Sequence, residues 1–133
     1  IFVFQKEVAE RIVAEHNTKH YGRLSILTSW KMYKSKIFDI SPHNFYPIPK
    51  VWSSLILLQP KMKIENIKKS KNLEHITNVF FNQKRKKIKK PMRQLFDDYE
   101  NKARELNLNL NLRPQNLSTN QYLDICKVYE SLI

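Results

Sequence analysis

Glycine is almost absent from this sequence, since Gly22 is the only one among 133 residues. Loops that cradle nucleotide-like cofactors usually contain several glycines, because the backbone must approach the ligand closely. The P-loop and dinucleotide fingerprints likewise need more than one glycine. We therefore expect no cofactor site of that class within these residues, and any such site to lie upstream of residue 1.

Cysteine, long apolar runs and clustered metal ligands are also scarce. Cys126 is the only cysteine, which excludes an internal disulfide and weakly favours a reducing compartment. No apolar run reaches the roughly 20 residues of a membrane span, so no membrane partner is expected. His16 and His20 lack the further ligands of a zinc site, so no metal is expected. The chain starts with Ile1 inside a strand-like pattern, so we expect the true N-terminus to be missing.

Acidic residues are outnumbered, because 24 Lys and Arg face 12 Asp and Glu, a net charge of +12. Biased codon usage could supply many lysines but does not explain their clustering. Seven of the ten positions from Lys84 to Arg93 are cationic, and they are called the basic run here: Lys84, Arg85, Lys86, Lys87, Lys89, Lys90 and Arg93. We expect this run to lie on a helix and to contact nucleic-acid phosphates, most simply those of RNA. A solvated lysine-rich face and an anionic membrane surface are the alternatives.

Residues 1–60 carry the pattern of an α/β unit. Nearly continuous apolar runs predict buried strands at 1–5 and 51–58, and a third strand is predicted at 36–40. Helical periodicity predicts helices at 5–15 and 21–32, with Leu24, Leu27 and Trp30 turned inward. Residues 41–49 hold three of the six prolines, which predicts a stiff loop.

The composition changes near residues 59–65, and the pattern beyond is helical. From Lys61 to Lys90 there are 11 basic and two acidic residues. Ser118 with Gln121 forms a capping box that predicts the start of the last helix. Helical spacing predicts two inward-facing stripes in the middle, formed by Leu73, Ile76 and Phe80 and by Ile88, Met92, Leu95 and Phe96. The stripe of the last helix comprises Tyr122, Ile125, Cys126, Tyr129, Leu132 and Ile133.

A motif in the proline-rich segment carries a family resemblance. Residues 45–53, FYPIPKVWS, resemble the F-x-P-x-P-K-V-x-S motif of the rRNA adenine N6-dimethyltransferase family. Trp52 departs from the small polar residue usual there, and the lysines of 86–90 depart from the family's R-N-x-L pattern. Further matches follow in the family's order: QKEVAER at 5–11, YGRLS at 21–25, FNQKRK at 81–86 and RPQNLS at 113–118.

The resemblance implies an α/β plus α fold. Residues 1–60 would be the C-terminal part of a Rossmann-like S-adenosylmethionine methyltransferase domain, and residues 61–133 a small all-helical RNA-binding domain. The family enzyme dimethylates two adjacent adenines near the 3′ end of small-subunit rRNA. The implied partner is small-subunit rRNA in the pre-30S particle. The protein would be a monomer in the cytoplasm, or in a mitochondrion.

The resemblance also assigns roles to residues. Phe45 matches the aromatic that packs on the flipped target adenine, although from composition alone it could instead plug the core beneath its loop. No cofactor-binding residue is expected here, because the family's glycine-rich loop, acidic ribose-binding residue and N-L-P-Y-type motif precede the matched part. The expected RNA-binding residues are Lys6, Arg11, Tyr21, Arg23, Lys50, Lys84, Arg85, Lys86, Lys87, Lys89, Lys90 and Arg93.

Two alternatives stay open at this point. One is the sister branch, which methylates a large-subunit rRNA adenine and confers antibiotic resistance. The other is a non-catalytic RNA-binding or transcription-accessory relative that lost the cofactor. The matches at 81–83 and 113–118 favour the small-subunit branch. We expect the fragment alone to be inactive and, because its sheet would expose apolar edges, poorly soluble.

Overall fold

Three strands form a small sheet at the start of the chain in the computed structural model, which describes residues 1–133. They are β1 (Phe2–Gln5), β2 (Met32–Ile40) and β3 (Ser53–Pro60). The order is β1-β3-β2, and both outer strands pair antiparallel with β3. The three predicted strands are therefore confirmed, although β2 begins four residues earlier than expected.

Two helices connect β1 to β2, and the first of them covers one face of the sheet. They are α1 (Lys6–Val13) and α2 (Arg23–Lys31), separated by a connector of residues 14–22. Ala9 and Ile12 of α1 are buried against Ile56 of β3 and form a small core. Both predicted helices are confirmed with shorter bounds. In α2, however, Ile26 and Trp30 are buried while Leu24 is exposed, so the inward orientation predicted for Leu24 is wrong.

The opposite face of the sheet carries apolar side chains that no helix covers. Val3, Leu55 and Phe38 lie in one row across the three strands. Val3 is 50% exposed and Phe38 is 54% exposed. The expectation that residues 1–5 form a buried strand is therefore wrong, because β1 is an edge strand with one covered face.

The central strand β3 shows the same one-sided burial. Ser54 and Ile56 are buried, whereas Leu55 and Leu57, which point to the opposite face, are half-buried. A continuous apolar run predicts burial on both faces, but here only the face toward α1 is closed. The run at 51–58 is therefore a strand, as predicted, but it is not buried throughout.

The rest of the chain is helical. Its helices are α3 (Ser70–Phe81), α4 (Lys89–Leu95), α5 (Tyr99–Glu105) and α6 (Thr119–Ser131), so the fold is α/β with six helices. Short 3₁₀ turns lie at Pro42–Asn44 and Pro114–Asn116. A core of 17 buried residues joins these helices, and Ile26 and Trp30 of α2 belong to it. The indole N–H of Trp30 also donates to the Glu65 carbonyl at 2.8 Å. The domain boundary between residues 60 and 61 stays a prediction.

The predicted helical stripes are largely confirmed. Leu73, Ile76 and Phe80 are fully buried on α3. Ile88 and Met92 are buried at the start of α4, as is Phe96 just after it, while Leu95 packs against the same core. Helix α5 was not predicted, because its sequence, YENKARE, has little apolar periodicity.

The capping box of α6 forms as predicted. The Gln121 N–H donates to Ser118 Oγ at 3.2 Å, and the Ser118 N–H donates to Gln121 Oε1 at 2.8 Å. The C-terminal end of the predicted stripe is wrong, since Leu132 and Ile133 are exposed. The helix ends at Ser131, so these two side chains no longer follow its buried face.

A buried carboxylate from the last helix caps the N-terminal end of α3. Glu130 of α6 accepts the backbone N–H groups of Lys68 and Lys69 at 2.9 and 3.1 Å, and the Asn72 amide at 2.6 Å. Burial by itself would raise the pKa of Glu130. The hydrogen bonds and the charge of Lys68 outweigh that effect and hold the pKa below its ordinary value. This contact supplies the N-terminal cap that the sequence around Lys69 lacks.

Candidate nucleic-acid interface

The basic run is bent and does not lie on one helix as expected. Helix α3 ends at Phe81, and residues 82–88 form turns in which the Lys86 N–H donates to the Gln83 carbonyl at 3.0 Å. Helix α4 then starts at Lys89, and Pro91 is tolerated in its first turn because no intrahelical N–H bond is needed there. Buried Ile88 and Met92 anchor the run to the core. The cations therefore project from a turn followed by a short helix.

Most of the basic run lines one open cleft, called the basic cleft here. Its volume is about 660 Å³, and it is lined by every cation of the run except Lys84, together with Gln94, Asn111 and Arg113. No carboxylate and no apolar side chain lines it. None of its cations forms an ion pair within the chain. This local positive charge is therefore left for an outside anion to neutralise.

Lys84 points elsewhere, into a second cleft called the connector pocket. This pocket has a volume of about 360 Å³, and the cations Arg11, Lys19, Arg23 and Lys84 converge on it from α1, the connector, α2 and the turn after α3. The Lys84 ammonium donates to the Lys19 carbonyl at 3.2 Å. Adjacent residues Lys84 and Arg85 thus divide the basic run between two clefts.

Tyr21 forms part of the floor of the connector pocket. Its ring is buried and meets Phe81 edge-on, with ring centroids 6.2 Å apart. Burial raises the pKa of the Tyr21 hydroxyl well above its ordinary value. The side chain therefore stays neutral and contributes shape to the pocket.

Two other expected RNA-binding residues are already paired. Lys6 lies 3.5 Å from a carboxylate oxygen of Asp39, and Arg11 donates to Glu7 at 2.9 Å. A hydrogen bond from Ser54 at 2.6 Å, with further help from Lys36, holds the pKa of Asp39 below its ordinary value. Exposed Lys50 lies beside Lys6, at the rim of a cleft that also includes Trp52. Cations near the sheet are thus partly neutralised, unlike those of the basic cleft.

Phe45 lies in the proline-rich loop between β2 and β3. Its N–H donates to the Pro42 carbonyl at 3.2 Å, and its side chain is half-buried. The next residue, Tyr46, is 99% exposed. The loop therefore holds one aromatic partly against the protein and extends another into solvent.

The remaining candidates show no chemistry of a cofactor or metal site. Gly22 has extended backbone, and a Cβ added there would meet no atom within 4 Å, so it shapes no cofactor cradle. No group of three or more His, Cys, Asp or Glu side chains is close enough to hold a metal ion. His20 instead contacts Glu10 at 3.0 Å.

Cys126 is buried as predicted, and burial raises the pKa of its thiol to about 12. None of the helices is long and apolar enough for a membrane span.

Among the polar and cationic residues that line these clefts, the sequence alone missed Lys19, His20, Gln94, Asn111 and Arg113. Arg113 lies 20 residues beyond the end of the basic run, and its RPQNLS motif suggested only a helix start. Its proximity to the run depends on how the segment after α5 folds back, and no local pattern reports that.

Comparisons with a family model and with curated proteins agree on one family. The family model for ribosomal RNA adenine dimethylase matches residues 1–131. The ribosomal RNA small subunit methyltransferase A of Pelagibacter ubique is 51% identical over 132 residues, covering 99% of this chain and 50% of the relative. The same-named protein of Ehrlichia ruminantium is 42% identical over 127 residues, covering 92% of this chain and 47% of the relative. The chain spans about half the length of these relatives.

Solved structures agree on the fold. A dimethyladenosine transferase from Plasmodium falciparum superposes with a TM-score of 0.74 at 22% identity, covering 97% of this chain and 56% of that chain. The 23S rRNA methyltransferase ErmE gives a TM-score of 0.61 at 17% identity, covering 96% of this chain and 53% of that chain. Sequence and fold point the same way, and the chain belongs to the ribosomal RNA adenine dimethylase family.

Proposed function

We propose that the protein carrying this chain dimethylates the N6 atoms of two adjacent adenines near the 3′ end of small-subunit rRNA. The observation that carries this proposal is the 51% identity, over 99% of the chain, to a ribosomal RNA small subunit methyltransferase A. The sister activity on large-subunit rRNA has weaker support, since the Ehrlichia ruminantium relative, 42% identical, is also named for the small subunit. The partner would be the pre-30S particle, which is assembled in the cytoplasm.

This chain would supply the surface that holds the rRNA. The unpaired cations of the basic cleft would bind backbone phosphates, since Lys and Arg contacts to phosphate position a protein on RNA without reading its sequence. The connector pocket, with Arg11, Arg23 and Lys84, would take a further phosphate. Lys6 and Lys50 would act nearer the sheet, where Lys6 must exchange Asp39 for phosphate.

Phe45 would stack on the target adenine after it leaves its helix. A duplex or hairpin base is inaccessible to a methyl donor until it is flipped out, and aromatic stacking repays part of the cost. The half-buried ring is held by a loop that three prolines stiffen. Catalysis would then depend on positioning, because a correctly oriented amine can attack a methyl donor in line without a strong base.

The methyl donor would be S-adenosylmethionine, as in the family that this chain resembles. The residues present do not fit that group, since the only glycine lies in open, extended backbone. The rest of the Rossmann-like domain, outside these 133 residues, would bind it. Residues 1–60 would be the C-terminal part of that domain, and residues 61–133 the helical RNA-binding domain.

The activity can be tested with the complete protein and, in parallel, with small-subunit and large-subunit particles that lack the modification. Labelled S-adenosylmethionine should transfer methyl groups to the particles, and nuclease digestion with mass spectrometry should find N6,N6-dimethyladenosine. Methylation confined to large-subunit rRNA would favour the sister branch. RNA binding without any transfer would favour a non-catalytic relative.

The role of Phe45 has its own test in the complete protein. Phe45→Ala should lower methyl transfer by roughly 10–100-fold, corresponding to about 1–3 kcal/mol of lost stacking, while changing RNA affinity much less. Phe45→Leu is the matched control, because leucine fills a core position but offers no aromatic face. Activity restored by leucine would mean that Phe45 plugs the core.

A further inference from the structure

We infer that Trp52 is a stacking platform for a second, unpaired nucleotide of the substrate RNA, and that Lys50 binds the phosphate of that nucleotide. The inference rests on the proposed function and adds a base-binding residue other than Phe45. Its site is the cleft lined by Trp52, Lys50 and the first turns of α1, called the sheet-end cleft here. The cleft has a volume of about 490 Å³, within the range of pockets that take small ligands.

The two tryptophans of the chain lie in opposite environments. Trp30 is 8% exposed, and its indole N–H donates to the Glu65 carbonyl at 2.8 Å. Trp52 is 49% exposed, and no aromatic or cationic side chain stacks on its ring. An indole offers a large flat surface to a stacking partner. The ring of Trp52 therefore has a free face that Trp30 lacks.

The backbone fixes Trp52 at the end of the sheet where the Phe45 loop lies. Gln5, Ser53 and Ile40 pair in one row across the three strands, and the loop with both aromatics joins the last two. The Lys6 N–H donates to the Trp52 carbonyl at 2.9 Å, which ties Trp52 to the start of α1. A platform held in this way loses little entropy when a base stacks on it.

The sheet-end cleft contains one cation that is free to bind phosphate. Lys50 is exposed and forms no ion pair within the chain, whereas Lys6 lies 3.5 Å from Asp39. An ammonium beside an aromatic face can hold the phosphate of a nucleotide whose base is stacked. The cleft therefore suits a single nucleotide, unlike the basic cleft with its many cations.

Acidic and amide side chains complete the lining and face the edge of such a base. Glu7 accepts a hydrogen bond from Arg11 at 2.9 Å. Glu10 contacts His20 at 3.0 Å, so both carboxylates already have basic partners. Their remaining lone pairs and the Gln5 amide can accept hydrogen bonds from amino groups on a base. The repulsion that two free carboxylates would exert on a phosphate is thereby reduced.

The test measures methyl transfer by the complete protein to small-subunit particles that lack the modification. Trp52→Ser restores the small polar residue usual at this position of the family motif. It should raise KM for the particles about tenfold and leave kcat within about twofold, because a base beside the reacting one is stacked equally in the ground and transition states. Trp52→Phe should keep KM within about threefold of the wild-type value, since it retains an aromatic face.

Tyr46→Ser is the matched control, because Tyr46 is an exposed aromatic of the same loop that does not line the cleft. It should change KM by less than about twofold.

Tryptophan fluorescence gives a readout that a purely structural role would not change. A hairpin with an unpaired loop should quench part of the emission of the complete protein, and Trp52→Phe should lack that part. A fully paired duplex should not quench it, because its bases are already stacked on one another. Lys50→Gln should reduce the salt slope of hairpin binding by about one phosphate contact, and an unchanged slope would overturn the role of Lys50.

The outcomes separate the nucleotide site from the activity. If the wild-type protein methylates the particles while Trp52→Ser keeps the wild-type KM, the site is wrong and the proposed function stands. The same holds if Tyr46→Ser shows the loss instead. Equal losses in Trp52→Ser and Trp52→Phe with a lowered Tm would mean that the ring packs against the rest of the protein. If the wild-type protein transfers no methyl groups, the proposed function fails and the fluorescence titration alone decides the site.

Discussion

The helical part of the chain and its sheet part differ sharply in how completely they bury apolar side chains. The helices share a core of 17 buried residues, to which α2 contributes Ile26 and Trp30. The sheet has a core of three, Ala9, Ile12 and Ile56. A sheet has two faces to cover, and α1 covers only one, whereas the helices pack around a common interior. A strongly apolar sequence is therefore buried only where the chain supplies a second layer.

The same two parts differ in whether their cationic side chains pair with acidic ones. Near the sheet, Lys6 and Lys36 pair with Asp39, and Arg11 pairs with Glu7. In the basic cleft, no cation has an acidic partner within the chain. The well-packed helical part can support this repulsion because its core anchors Ile88 and Met92 beneath the cations. The part with the larger core thus carries the surface that a ligand must neutralise.

The largest effect is expected from a core substitution in the helical part. Phe80 is fully buried and meets Tyr122 edge-on, with centroids 5.3 Å apart. Phe80→Ala should lower the free energy of unfolding by about 3–5 kcal/mol, since it removes a large apolar contact and leaves a cavity. Denaturant unfolding of the complete protein measures this loss.

Ile56→Ala provides the comparison within the sheet. Ile56 is also fully buried, but its core is much smaller, so we expect a cost near the lower end of the range for such changes, about 2 kcal/mol. A cost equal to that of Phe80→Ala would remove the contrast between the two parts.

A smaller effect is expected at Glu130, the carboxylate that caps α3. Glu130→Gln should cost about 1–3 kcal/mol at neutral pH, because it weakens three hydrogen bonds that the charged form accepts. The folded pKa is below the unfolded one, so this stabilisation is present above about pH 4.3 and is lost as pH falls through the folded value.

The pH profile distinguishes this cap from ordinary surface charge. The difference in stability between wild type and Glu130→Gln should shrink on acidification from pH 5 toward pH 2. Glu105→Gln removes an exposed carboxylate whose partner is Lys102, and it should change stability by less than about 1 kcal/mol throughout. A constant difference for Glu130→Gln across this range would contradict the role of its charge.

The sequence predicted best what short-range periodicity controls. The spacing of Leu73, Ile76 and Phe80 identified the buried face of α3, and the Ser118 box identified the start of α6. It predicted strands β1 and β3 but not their one-sided burial, because an apolar run does not report whether a second layer is present. Leu132 and Ile133 were misplaced for a related reason, since the stripe continues in sequence after the helix ends.

For the candidate site, the sequence predicted which residues are cationic but not how they are arranged in space. The basic run was evident from composition, but its division between two clefts depends on the turn at residues 82–88. Arg113 reaches the cleft through the Ile88–Leu112 hydrogen bond, a contact between segments 24 residues apart. The cap from Glu130 to Lys68 spans 62 residues. Such long-range contacts arise from packing and have no local signature.

The smallest effect is expected on the uncovered face of the sheet. Phe38 is already 54% exposed there, in the same row as Val3 and Leu55. In a preparation of residues 1–133 alone, Phe38→Ser should therefore change the free energy of unfolding by about 0.5 kcal/mol or less, and it should raise solubility by interrupting an apolar patch. Denaturant unfolding and the saturation concentration of the same preparation measure both. A cost approaching that of Phe80→Ala in this preparation would contradict the exposure of this face, because only a buried phenylalanine loses that much.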